Sequence, residues 1–274
     1  MKTYLVWIIS VILTVFAAFF QRRTGPTHPE KIILNIQGIN YHLMLPRSHG
    51  GKEDKIVRLP VADTSITGSM IYRRYPTSEP WDTVAFIRTG NDLTAALPVQ
   101  PPAGKIEYTI ILYHEGRQYS VNPDNPVIIR FKGEVPAAVL IPHILLVFAA
   151  MLFSNLTGIY ALLWRPRYKL YGILTLSLLI AGGLIFGPVI QKYAFGEFWT
   201  GFPLGKDLTD NKILFAFFAW IIAVTANIRK DRPYFSWMAA LFFLLINFIP
   251  HSMFGSEFDY RSGQVITGLI LFGW

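Results

Sequence analysis

The chain has 274 residues, 52% of them apolar and only 15% charged, against roughly 25% charged in ordinary soluble domains; mean hydropathy is +0.38, and several long uncharged runs identify an integral membrane protein. The net charge of +8 would suggest nucleic acid in a soluble chain, but much of the excess flanks apolar runs, where Lys and Arg set orientation. The expected partner is therefore the bilayer and not nucleic acid. The absence of cysteine excludes disulfides, thiolate metal sites and cysteine nucleophiles.

Residues 4–20 are the first uncharged run, with Lys2 before it and Gln21, Arg22 and Arg23 after it. As a helix it would measure roughly 25 Å, slightly short of a hydrocarbon core. Ala17 and Ala18 precede Phe19 and Phe20, which is no small-x-small cleavage pattern. Residues 1–23 therefore read as an uncleaved transmembrane anchor, with a signal peptide as the alternative.

Across residues 30–132 the character changes to short alternating runs. IILNIQ (32–37) and YHLMLP (41–46) flank Gly38 as paired strands would. KIVRLP (55–60), SMIYRRY (69–75), TVAFIR (83–88), KIEYTIILYH (105–114), RQYSV (117–121) and PVIIRF (126–131) continue the series, with Glu115-Gly116 as a hairpin turn. About eight strands in a stretch of this size predict an all-β sandwich. From Trp81 to Phe131 a Trp-led strand, then ALPVQPPAGKIEYTIILY and a closing strand, resemble a fibronectin type III or immunoglobulin-like domain. That resemblance implies a module that binds or spaces other domains.

Residues 135–274 predict a helical membrane domain. Its apolar segments are 136–164, 170–190, 213–228, 234–249 and 264–274, which with the anchor make about six transmembrane helices. The last is too short to span unless it begins near Tyr260. Structured loops are expected at 191–212 and 250–263. Two junctions are basic, one with Arg165, Arg167 and Lys169, the other with Arg229, Lys230 and Arg232 around Asp231. They belong in the cytoplasm, which places the β domain and both loops on the extracytoplasmic side of a bacterial inner membrane. Arg22 and Arg23 run against this assignment.

Chemistry-bearing residues gather in those outer loops. Glu197, Lys206, Asp207, Asp210, Asn211, Lys212, Glu257 and Asp259 form a candidate polar binding cluster; Asp207, Thr209 or Asp210 also suits the cap of the next helix. Tyr193, Phe198, Trp199 and Phe202 suit an aromatic belt at a membrane surface, or the wall of a pocket with Glu197 and Asp210 as polar contacts. His143 and His251, each beside a proline, could ligate haem iron, copper or zinc; the alternative is interfacial histidines bonded to free backbone groups. Gly182-Gly183 and Gly187 suit close helix packing. Ser252, His251 and Asp259 have triad residue types without triad spacing, and no nucleotide-binding, zinc-protease or serine-hydrolase motif occurs. No apolar segment as delimited above contains Asp, Glu, Lys or Arg, which disfavours an ion-coupled transporter.

These features predict a non-catalytic inner-membrane protein, an interaction or assembly component of an envelope complex, with other membrane or envelope proteins as partners and no cofactor. One alternative is a haem- or metal-binding redox protein using His143 and His251. A further one is a membrane enzyme acting on lipid or polymer at the outer interface.

Overall fold

The computed structural model describes residues 2–250 and 255–266. The first helix, α1 (Thr3–Thr24), runs past the predicted anchor through both arginines. Val6, Ser10, Thr14 and Ala17 are its buried positions, spaced to form one stripe. Thr14 Oγ1 in that stripe accepts from Asn155 Nδ2 at 3.0 Å. Its other side chains, Ile8, Ile12, Phe16 and Phe19 among them, point outward.

The β domain follows. Strand β9 (Lys105–His114) is its axis, flanked on one side by β5 (Thr67–Tyr75) and on the other by β11 (Val127–Lys132) and β10 (Arg117–Val121). Strand β6 (Asp82–Ala85) extends the β5 edge, and β3 (Ser48–Gly50) runs parallel to β11. A second sheet comprises β4 (Lys55–Leu59), β8 (Asp92–Leu97) and β7 (Ile87–Thr89), and the hairpin β1–β2 (Glu30–Ile36, Ile39–Leu45) stands apart from both. Alternation aims Ile106, Tyr108, Ile110 and Leu112 of β9 into the same core as Leu43, Val57, Leu59 and Leu97, each burial stabilising by about 1.5–3 kcal/mol. Two-residue turns with positive φ, Gln37-Gly38 and Glu115-Gly116, close the two hairpins, as the right-handed strand twist favours.

Run 83–88 is not one strand. It breaks at Phe86, whose N–H donates to Gly68 O at 2.9 Å, so β6 joins the large sheet and β7 the small one. Strands β3 and β8 lay outside the series anticipated from alternation, β3 because it has three residues and β8 because its polar half masks the pattern.

Among the described residues four helices are long and apolar enough to cross a membrane: α1, α2 (Ala137–Leu162), the continuous 28-residue helix Tyr168–Phe195, and α5 (Leu208–Arg229). The third is built from α3 (Tyr168–Leu179), a π-helical turn (Ile180–Phe186) and α4 (Gly187–Phe195). The helix α6 (Pro233–Asn247) has 15 residues, roughly 22 Å against a hydrocarbon core of about 30 Å. Close contacts hold these helices together: a Cβ on Gly158 would lie 2.8 Å from Ala240 Cβ, one on Gly183 2.8 Å from Ile213 Cγ2. The Trp220 ring is fully buried among them.

Three expectations are corrected here. The segment 191–195 is helix, not loop, and ends at Gly196, whose φ of 91° and N–H bond to Lys192 O close it. The helix α5 begins at Leu208 and not at 213, so it carries buried Asp210 and Lys212 in its first turn. No helix starts at Tyr260: β12 (Glu257–Asp259) and β13 (Gln264–Ile266) form a hairpin, because Asp259 accepts from Arg261 N, Ser262 N and Ser262 Oγ and folds the chain back. The rest of the predicted sixth span lies outside the described residues, and among the described residues four helices, not the six anticipated for the whole chain, have membrane length.

The chain has two unlike ends. The α2–α3 and α5–α6 turns meet at one: Tyr168 Oη donates to Asn227 Oδ1 at 2.7 Å, and Asn227 also accepts from Arg232 N and donates to Ala223 O and Arg232 O. The Lys169 ammonium pairs with Asp231 and, by hydrogen bonding to it, holds that carboxyl below its ordinary pKa. The β domain, the loop after α4 and the β12–β13 hairpin meet at the other.

Candidate functional site

The site grows from the seam between the β domain and the helices. Where β11 runs out towards α2, Arg130 is 7% exposed, and its guanidinium donates to Ser256 O and stacks over Phe195 at 4.1 Å. Burial lowers its pKa to about 10, against the opposing pull of the Asp207 and Glu257 carboxylates, which leaves it charged at neutral pH. Beside it Lys105 pairs with Glu257. The Tyr260 hydroxyl accepts from Lys105 N at 3.0 Å and lies 2.9 Å from Lys105 O, with burial raising its pKa to about 12. Gly133 N donates to Ala194 O at 2.9 Å. The two halves are thus joined through backbone as well as charge.

The loop between α4 and α5 is anchored by its own first-turn residues. Asp207 caps α5, its Oδ1 accepting from Thr209 N at 2.7 Å and Asp210 N at 3.4 Å. Asp210 Oδ2 accepts from Thr200 N at 2.6 Å and Thr200 Oγ1 at 3.2 Å. Thr200 Oγ1 in turn accepts from Gln191 and, at 3.4 Å, from Ser256 Oγ. Asn211 Oδ1 takes Phe202 N at 2.7 Å. Lys212 donates to Ile249 O at 2.7 Å, a carbonyl that also accepts from Gln21, so one oxygen ties α1, α5 and the end of α6. Gly201 lets the loop lie on α5, since a Cβ there would meet Asp210 Cβ at 2.6 Å.

Between this seam and the helices lies a cleft of about 830 Å³, within the range of ligand sites. Its floor is apolar: Leu140 and Val147 of α2, Gly183 of the π turn, Ile190 of α4 and Ile213 of α5. Its rim is polar, with Lys52 and Glu53 from the β3–β4 loop and Lys132 and Glu134 from the β11–α2 connection; Asp207 and Asp210 stand at its inner wall. Leu140 is also 37% exposed on the outer flank of α2, so the floor is continuous with the apolar outside of the helices. No family model matches the sequence. No curated protein or solved structure matches the chain either. The reading of this site rests on its geometry.

The structure distributes the anticipated residues unevenly. Asp207, Asp210, Asn211 and Lys212 come together, each spent on a cap, a loop anchor or a helix tie. Glu197 and Lys206 are exposed outside the cleft. Glu257 pairs with Lys105, and Asp259 shapes its hairpin, its pKa held low by Ser262. Tyr193, Phe198 and Phe202 are exposed, while Trp199 Nε1 donates to Phe202 O at 3.1 Å within the loop. His143 lines the cleft with Nδ1 2.9 Å from Gly182 O. A carbonyl can only accept, so Nδ1 carries the proton and Nε2 the lone pair. Gly182 O is the same oxygen that takes Gly187 N across the π turn. His251 and Ser252 lie outside the described residues, and among the described residues no three His, Asp or Glu are grouped to hold a metal.

Arg130, Lys132, Thr200, Gln191 and Ser256 were not anticipated. For Arg130 a signal existed: it breaks the run VIIRFK immediately before the chain enters α2, and a cation there demands a partner. Thr200 and Ser256 carry no sequence signal, because their importance comes only from burial beside Asp210.

Proposed function

We propose that this protein is a multi-pass membrane protein that holds an amphiphile, a lipid or lipid-linked molecule, in the cleft between its β domain and its helices. The observation that carries this reading is the cleft's two-part lining, apolar where membrane-length helices form it and charged where the β domain covers it. The buried carboxylates are engaged in holding the loop, which supports binding rather than turnover. We place the β domain, a sandwich of the immunoglobulin or fibronectin type III kind, outside a bacterial inner membrane. The charges support this: Lys2, Arg165, Arg167, Lys169, Arg229 and Lys230 all lie at the far end, with Asp231 as counterweight.

Native mass spectrometry of the detergent-purified chain tests the reading. The wild type should carry amphiphile, and Ile190→Trp, which fills the floor, should lose it while melting normally. A wild type that retains none, or a variant that retains as much, overturns it.

An assembly component of an envelope complex is the second reading. The β1–β2 hairpin favours it, since Ile33 and Met44 are 64% and 55% exposed on one outward face of a two-stranded ribbon. Ile33→Cys would place the only thiol in the chain there; failure of a thiol crosslinker to capture an envelope protein in native membranes would count against it.

A further inference from the structure

The cleft rim holds cations that nothing in the fold neutralises. Lys132 is half-buried at the mouth, yet among the described residues it has no ion pair and no side-chain hydrogen bond. Its charged neighbours include Arg130 and Arg22, and burial together with these two cations holds its ammonium below the ordinary pKa. Arg130 is committed to Ser256 and Phe195, and Arg22, in the last turn of α1, is exposed outside the cleft. A half-buried, unpaired ammonium beside a buried guanidinium is unfavourable unless an anion completes it. Helix α2 adds to the same field. It starts at Ala137 after Pro136, with no side-chain cap and no acid in its first turn, so its free N–H groups and positive dipole end lie between Glu134 and Leu140 of the cleft.

Two acids stand against this. Glu53 and Glu134 are on the same rim, but both are exposed, where water and salt screen them. Against Asp207 and Asp210 at the inner wall stand three cations, Arg130, Lys132 and Lys212. The field at the half-buried part of the mouth is therefore positive.

We propose that the cleft selects an anionic amphiphile, with Lys132 binding its phosphate headgroup and the Leu140–Ile213 floor taking its acyl chain. This rests on the amphiphile-binding reading and adds the class of ligand. The apolar floor argues for a lipid over free phosphate, which would leave that floor empty.

The full chain in mild detergent would be offered dioleoyl phosphatidylglycerol, dioleoyl phosphatidylcholine or inorganic phosphate, with retention read by native mass spectrometry. The wild type should prefer phosphatidylglycerol, by about fivefold for each cation engaged. Lys132→Gln should retain both lipids equally, and Lys132→Arg should keep the preference, which separates lost charge from lost folding. A wild type that holds both lipids equally, or a Lys132→Gln variant that still discriminates, overturns the selection but leaves amphiphile binding intact. A wild type that holds neither lipid overturns both. Inorganic phosphate that displaces phosphatidylglycerol at equal concentration overturns the lipid assignment in favour of a simple anion site.

Discussion

The seam at Gly133 offers the sharpest test of how the β domain is seated. A Cβ built on Gly133 would lie 2.1 Å from Tyr193 O, whereas a carbon–oxygen contact needs about 3.3 Å. The obstacle is backbone at the end of α4 and cannot rotate away, so the connection must lift by about 1 Å. That movement strains or breaks the 2.9 Å bond from Gly133 N to Ala194 O. Overpacking of this kind costs about 1–3 kcal/mol, and a lost hydrogen bond about 1 kcal/mol more. Gly133→Ala should therefore destabilise by about 2–4 kcal/mol, a fall in melting temperature of roughly 5–15 °C for a chain of this size. Intrinsic tryptophan fluorescence during heating in detergent would record it. Gly50→Ala is the internal control: it lies on the same cleft, but nothing stands within 4 Å of its Cβ position, and its effect should stay within about 0.5 kcal/mol. If the two variants melt together, the rigid seating of the β domain argued above is wrong.

Asn227→Ala should destabilise by about 1–3 kcal/mol, because it removes the acceptor of the Arg232 N–H and leaves the Tyr168 hydroxyl only the longer 3.4 Å contact to Asp231; thermal melting would show it, and an unchanged transition would refute the clasp. Asp207→Ala should cost about 1 kcal/mol through the lost cap, while Asp207→Asn keeps the cap and should cost markedly less; equal losses would mean that charge facing Arg130, and not capping, is what Asp207 supplies. Asp231 has a folded pKa below its unfolded value, so its contribution is present above the unfolded pKa and is lost as pH falls through the folded one. Melting curves between pH 2.5 and 5 should show that acid limb, weakened in Lys169→Met.

The membrane-length helices were legible because hydropathy depends on composition alone, and β9 was legible because its alternation is uninterrupted from Ile106 to Leu112. What escaped depended on contacts between distant segments. Residues 191–195 belong to a helix whose last turn is held by Gly133, far away in sequence, and Phe86 divides one apparent strand because two sheets compete for it. The site was half legible. The acids of 207–210 stand out in a loop, but the rim cation Lys132 looks like an ordinary strand end until the helices are placed beneath it.

The π turn between α3 and α4 has a geometric consequence. Each residue of an α-helix advances the chain by about 100°, and the Gly187–Gly182 bond skips one residue more than an α-helical bond would. Everything downstream is therefore rotated relative to α3, and that rotation brings Gln191 to Thr200 and Ala194 to Gly133. Were these same seven residues wound as ordinary α-helix, α4 would be turned by about 100°, leaving the same side chains aimed past the β domain. The wide winding of this short stretch thus sets the angular phase that closes the cleft.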